Sequence, residues 1–400
     1  MTQPRRLIIL GASTRAAAMS ARRAGWLPGC IDLFGDRDLA ALGPLVRAGA
    51  EGWEAAFDTL AARLGEIPWL YTGPAENYPE IVQRIAARHR LLGNPADILR
   101  SARNPRLVAE LLRRAGLPHA DVRMDDAALP LDGSWLAKPI ASVGGRLIGP
   151  LTAGAARLEE PCYFQRFISG DSYSALGLAE GGRARLLGVT RQLHGGPAGR
   201  FAYRGNLGPI VAGPSLESSL QRILNALARG FGLVGLFGVD YILHDGEPWV
   251  VEVNPRYTAA VEVLELAGRR SLLREHLDAC SALPKGGTTD PSSAASGQTL
   301  QAVDGPNGRV VGKLILYAER GLIAPEIGLL TYSDENPYAV PDVADVPWPG
   351  ATFSRGEPIM TILAEGTGED DCVGRLVERA SRWQDAIRVW NRQEESPADA

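Results

Sequence analysis

Between residues 237 and 253 two short apolar strands flank His244-Asp245-Gly246-Glu247, a sequence suited to a tight hairpin turn. The first strand, 237–243, carries Asp240, and the second, 248–253, runs into Val250-Val251-Glu252-Val253-Asn254-Pro255-Arg256. Side chains alternate along a strand, so Glu252 and Asn254 share one face while Val251 and Val253 take the other. Asp240 on the antiparallel neighbour lies across from them. A polar hairpin face ordinarily meets water, but here it holds two acids and an amide beside a strand that is nearly all valine. Buried like charges repel strongly unless a cation compensates them. Asp240, Glu252 and Asn254 therefore read as an all-oxygen site of the kind Mg²⁺ prefers. Arg256, two positions on, offers a fork of donors to a phosphate or carboxylate.

A chain of 400 residues needs two to four structural units to bury its apolar surface. The apolar run 7–10, then Gly11-Ala12-Ser13-Thr14 and an Ala/Arg-rich segment, predicts strand, turn and helix; further runs at 30–34 and 69–72 continue the rhythm. A small doubly wound α/β domain over residues 1–93 follows. Its first turn lacks GxGxxG, which argues against a nicotinamide site. Ser13 and Arg15 read as a helix N-cap and a surface charge, with substrate contact at the strand's carboxyl end as the alternative. Beyond it, 94–117 is helical, 134–137, 162–168, 172–178 and 184–190 are strands, and 216–229 has one apolar helical face. Residues 94–280 thus form a second unit. The Gly/Ser/Thr/Ala-rich segment 281–308 has linker chemistry, and 309–400 reads as a small β-rich domain with a helix over 373–390.

Composition removes several classes of function. A formal net charge of −4 gives no broad positive field for nucleic acid or an anionic membrane. Cys30, Cys162, Cys280 and Cys372 stand apart without zinc spacing, and structural disulfides are not expected, which fits a reducing cytoplasm. The apolar run after Arg5-Arg6 stops at Gly11, too early for a signal peptide, and no stretch holds the roughly 20 apolar residues a membrane helix requires. The expected partners are small molecules.

Two further segments carry chemistry. Lys138 at a strand end, followed by Gly144-Gly145, can present an ammonium and unobstructed backbone N–H groups to phosphates. No GxxxxGK[ST] loop exists, and the GxGxxG at 230–235 follows a helix and precedes a strand, the wrong order for a dinucleotide site. In Tyr163-Phe164-Gln165-Arg166-Phe167-Ile168-Ser169-Gly170, a strand breaking into glycine leaves backbone donors and acceptors beside apolar side chains, features that suit a purine.

In this order, Lys138-Pro139 with its glycine loop, Gln165 to Gly170, Gly238-Val239-Asp240-Tyr241 and Glu252-Val253-Asn254-Pro255-Arg256 resemble the ATP-grasp superfamily of carboxylate–amine ligases, to which biotin carboxylase is related. The resemblance covers about residues 1–280. It implies that Lys138 holds the nucleotide phosphates, that Gly144 and Gly145 belong to a closing loop, and that Gln165, Arg166, Phe167 and Ile168 form the hinge that binds adenine. It further implies that Asp240, Glu252 and Asn254 ligate one or two Mg²⁺, with Mn²⁺ as an alternative ion, and that Arg256 stabilises the transferring phosphoryl group. The implied reaction activates a carboxylate as an acyl phosphate for attack by an amine, in cofactor biosynthesis as one specific option. The alternatives are activation of bicarbonate, as in a carboxylase, and nucleotide binding without turnover. Dimers are frequent in the superfamily, which leaves a homodimer open. The family's usual lysine before the glycine loop is absent; Arg103 and Arg106 stand in that segment, and Arg is a fork where Lys is a point charge. Residues 345–350 and 356–359 resemble the C-terminal module of carboxylase-type members, within which Lys313 reads as a solvated surface residue, with a reach into the active site as the alternative.

Overall fold

The computed structural model describes residues 5–141, 143–154, 158–281, 308–328 and 335–394. All but the two ends of the expected 281–308 linker lie outside the described residues.

The first unit is a four-stranded parallel sheet. Arg5–Leu10 pairs with Trp26–Asp32 on one side and Trp69–Tyr71 on the other, and Leu45–Arg47 adds an edge too short to recognise by pattern. Leu7 and Ile9 pack against the helix Arg15–Arg23, whereas Ile8 and Leu10 pack against Trp53 and Phe57. Both faces are covered, which is why the run at 7–10 is continuously apolar rather than alternating.

The helical stretch expected over 94–117 is two helices, Ala96–Ala102 and Pro105–Arg114. Pro105 starts the second, and the Asn104 side chain accepts from the backbone N–H groups of Arg106 and Leu107 at 3.0 and 3.3 Å. The break leaves Arg103 at the joint. Next comes a four-stranded antiparallel sheet in the order Val122–Arg123, Cys162–Arg166, Asp132–Pro139, Gly149–Thr152. Lys138 lies inside the third of these, not beyond its end.

An eight-stranded sheet forms the centre. Its order is Glu247–Asn254, Gly235–His244, Asp171–Glu180, Arg183–His194, Tyr203–Gly208, Val310–Tyr317, Pro358–Gly366 and Val343–Ala344. Strands from the 309–400 segment therefore extend the central sheet instead of building a large one of their own. Pro214–Phe231 covers one face with Leu220, Ile223, Leu224 and Leu227, and Ala259–Gly268 and Leu272–Ser281 cover part of the other. The expected hairpin is present. Asp245 and Gly246 both have positive φ, 50° and 78°, as a two-residue type I′ turn requires. Among the described residues no helix is long and apolar enough to cross a membrane.

Candidate active site

The hairpin register sets the site. Asp240 pairs directly with Glu252, and Gly238 pairs with Asn254, so the three oxygen-bearing side chains gather on one face. Asn254 Nδ2 donates to Asp240 Oδ2 at 2.9 Å, and Gln192 Nε2, from two strands away, donates to Asp240 Oδ1 at 3.0 Å. Burial, followed by the negative charge of Glu252, pushes the Asp240 carboxyl up to about 6. Burial also opposes the charge of Glu252, but Arg103 and then Lys138 outweigh it and hold that carboxyl below its ordinary value. A buried carboxylate that resists its own charge fits a hard divalent cation, and two carboxylates with one amide oxygen supply suitable donors. Among the described residues no three His, Cys, Asp or Glu side chains gather in a metal-binding group, so the amide is needed to complete the set.

Three cations face these acids. Arg103 Nη1 meets Glu252 Oε1 at 2.5 Å and the Val253 carbonyl at 3.1 Å. Arg106 is exposed, so of the two arginines in the segment Arg103 is the one the fold brings to the cleft. Lys138 is buried, donates to Gln165 Oε1 at 3.0 Å, and lies over the Tyr163 ring at 5.6 Å. Burial opposes the ammonium, yet Tyr163 and Glu252 more than offset it and raise the pKa of Lys138. Arg256 Nη2 meets Glu76 Oε1 at 2.6 Å and Asn254 Oδ1 at 3.3 Å. Glu76 and Asn77 come from the turn after the strand Trp69–Tyr71. Sequence reasoning passed over Glu76, although an acid at the carboxyl end of a parallel strand is a placement at which ligands gather.

Between the small and the large sheet opens a cleft, with Arg103, Gln165 and Glu252 among its polar lining and Val108, Ile140 and Val253 among its apolar one. This mixed lining suits a ligand with an apolar ring and a charged end. The hinge residues divide. The Gln165 side chain bonds Lys138 and the Val251 carbonyl, at 3.0 Å each, and so bridges the two sheets. The backbone N–H groups of Arg166 and Phe167 donate to Asp121 and Ser134 carbonyls at 2.9 Å, and the Arg166 side chain is exposed. Ile168 is half-buried beyond the strand end.

Gly144 and Gly145 have φ of 62° and 69° and dock on the turn before Tyr203–Gly208, where the Tyr203 N–H donates to the Gly144 carbonyl at 2.8 Å. A Cβ on Gly145 would lie 2.1 Å from the Phe201 carbonyl oxygen. Gly145→Ala must undock this loop, since the obstacle is backbone and the φ is one that alanine resists. The expected result is a roughly tenfold weaker apparent affinity for ATP with an unchanged melting temperature, measured by titration calorimetry and thermal unfolding.

Three expectations are corrected. Arg15 is not a surface charge: it is 3% exposed, pairs with Glu262, and places Nε 2.8 Å from Asp345 Oδ1. The residue at the N-cap is Thr14 rather than Ser13, and its hydroxyl bonds Asp32 instead of the helix. Lys313 is likewise buried, with Nζ 3.1 Å from Glu262 Oε2. A residue flanked by apolar neighbours on a strand has no sequence signal for a carboxylate 51 positions away.

The family model described as the ATP-grasp domain matches residues 102–260, the stretch that holds the small sheet, five strands of the large one, and Arg103, Lys138, Asp240, Glu252, Asn254 and Arg256. This chain carries an ATP-grasp domain. An uncharacterised protein of Methanocaldococcus jannaschii is 24% identical over 163 residues, 41% of this chain, and the matched stretch spans 34% of that relative's length. Among solved structures, an L-amino acid ligase from Bacillus licheniformis superposes with a TM-score of 0.68 at 15% identity, covering 95% of this chain and 98% of that one. The biotin carboxylase domain of the Hydrogenobacter thermophilus 2-oxoglutarate carboxylase, determined with MgADP and bicarbonate, gives 0.66 at 12% identity, covering 92% and 88%. At these identities the likeness is one of fold, and it extends beyond the ATP-grasp domain to the units on either side.

Proposed function

We propose that this chain is an ATP- and Mg²⁺-dependent ligase that activates a small-molecule carboxylate as an acyl phosphate and passes the acyl group to an amine. One observation carries the reading: three cations, Lys138, Arg103 and Arg256, cluster with the oxygen donors Asp240, Glu252 and Asn254, and Arg103 and Glu252 of this cluster line the cleft between the two sheets. Asp240, Glu252 and Asn254 would hold the metal, which when bound neutralises phosphate oxygens. Lys138, fixed by Gln165 and Tyr163, keeps an ammonium beside the transferring group. Arg256, braced by Glu76, offers its fork to charge developing on the phosphoryl and acyl oxygens. Docking of Gly144 and Gly145 against residues 199–203 keeps water from an intermediate that would otherwise hydrolyse. The adenine would lie against the apolar part of the cleft, formed by Val108, Ile140 and Val253.

The test is a phosphate-release screen of carboxylic acid and amine pairs with ATP and Mg²⁺. Release that needs both an acid and an amine, with an amide product, supports the ligase. Release with bicarbonate and no amine redirects the reading to a carboxylase-type reaction, and tight ATP binding without release across the whole panel refutes turnover.

A further inference from the structure

The arginine at residue 103 does more than stand where a lysine is usual. Its Nη1 contacts the same Glu252 carboxylate that the proposed metal would use, at 2.5 Å, and is held there by a second acceptor, the Val253 carbonyl at 3.1 Å. Nη2 reaches Asn77 Oδ1 at a loose 3.3 Å, while Nε is buried with no acceptor. The guanidinium thus has one strongly bound edge and one donor without an acceptor. It sits at the joint between Ala96–Ala102 and Pro105–Arg114, where the helix hydrogen bonding is interrupted. Charge counting points the same way. Arg103, Lys138 and Arg256 balance Glu252, Asp240 and Glu76, three against three, so the cleft is neutral before any ion arrives. A divalent ion entering alone would leave an excess of two positive charges among buried groups, which a low-dielectric cleft opposes. A nucleotide's phosphates reverse that balance, and they also give Arg103 acceptors for its vacant donor.

We propose that Arg103 and the divalent ion exclude each other at Glu252, so that metal is taken up only with or after the nucleotide, whose phosphates draw Arg103 away. This rests on the metal assignment made above. A lysine here would bring a point charge without the fork that spans Glu252 and Asn77, and would be easier to displace.

The test uses Mn²⁺ and ADP as probes on the whole chain, with bound Mn²⁺ counted by loss of the free-ion electron paramagnetic resonance signal. The wild-type protein is expected to bind Mn²⁺ weakly alone and at least tenfold more tightly with ADP. Arg103→Met should bind Mn²⁺ alone at least tenfold more tightly than wild type, while its affinity for ADP in EDTA falls. Arg103→Lys should fall between, and it carries the test if the methionine variant fails to fold. Arg106→Met removes an equal charge from an exposed neighbour and should change nothing, which separates competition at Glu252 from a general electrostatic effect. An unchanged Mn²⁺ affinity in folded Arg103→Met and Arg103→Lys overturns the exclusion while leaving the metal site standing. Absence of Mn²⁺ binding by wild type even with ADP removes the metal site itself, and this proposal with it.

Discussion

Asp240→Asn and Glu252→Gln should each lower ATP turnover by about three orders of magnitude or more, because each removes a charged oxygen from the proposed metal site, a loss of several kcal/mol at the transition state. The two variants should part company in stability. Burial and the neighbouring Glu252 already push the Asp240 carboxyl up to about 6, so in the ligand-free protein its charge is a burden. An amide of the same shape relieves that burden and can still accept from Gln192, but its NH2 then faces the Asn254 amide nitrogen, and with the two effects opposed Asp240→Asn should melt near the wild-type temperature. Glu252 is different: its charge is the partner of half-buried Arg103, and its carboxyl is held below its ordinary value. Glu252→Gln leaves a guanidinium without its counter-charge and should melt lower. Thermal unfolding without ligand, beside steady-state phosphate release with ATP and Mg²⁺, checks both halves. Turnover at the wild-type rate by either variant would sink the metal assignment.

What the sequence made readable was local. The hairpin announced itself through Asp245-Gly246 and through strict alternation, and alternation alone put Glu252 and Asn254 on one face with Asp240 opposite, as the register has it. The doubly wound start was readable because parallel strands buried on both faces leave uninterrupted apolar runs. Contacts without a period were not readable. Whether Arg15 lies in water or against Glu262 depends on how two helices 247 positions apart are packed, and nothing near residue 15 records that. The same holds for Gln165. A strand-end glutamine looks available for a ligand until the large sheet brings the Val251 carbonyl to its amide and Lys138 to its oxygen. Length misled as well: 94–117 has helical composition throughout, and the Asn104-Pro105 cap that divides it is also an ordinary interior-loop pair. The division matters, since it is what turns Arg103 toward Glu252.

The largest expected effect on stability lies away from the cleft. Glu262 is 2% exposed, and between Arg15 and Lys313 it joins three parts of the chain: the first α/β unit, the helix Ala259–Gly268 and the strand Val310–Tyr317. Burial alone would raise its pKa, but Arg15 and Lys313 overturn that and hold it well below the carboxylate range. Glu262→Gln therefore strands two buried cations, of which Arg15 keeps Asp345 at 2.8 Å and Lys313 keeps no named carboxylate. Removing one partner of a buried ionic cluster costs about 3–5 kcal/mol, whereas replacing the whole set with apolar groups of similar size is often neutral. A fall of that size in the urea unfolding free energy of Glu262→Gln is expected, with substantial recovery on adding Lys313→Met. Acid should act in the same direction. A carboxyl with a lowered folded-state pKa stabilises above its ordinary range, and that contribution is lost as the pH falls through and below it. The wild-type protein should thus lose stability steeply in acid while Glu262→Gln, having no proton to take up there, loses less. Parallel acid sensitivity of the two proteins would mean that the ionic joint at Glu262 does not hold the three parts together.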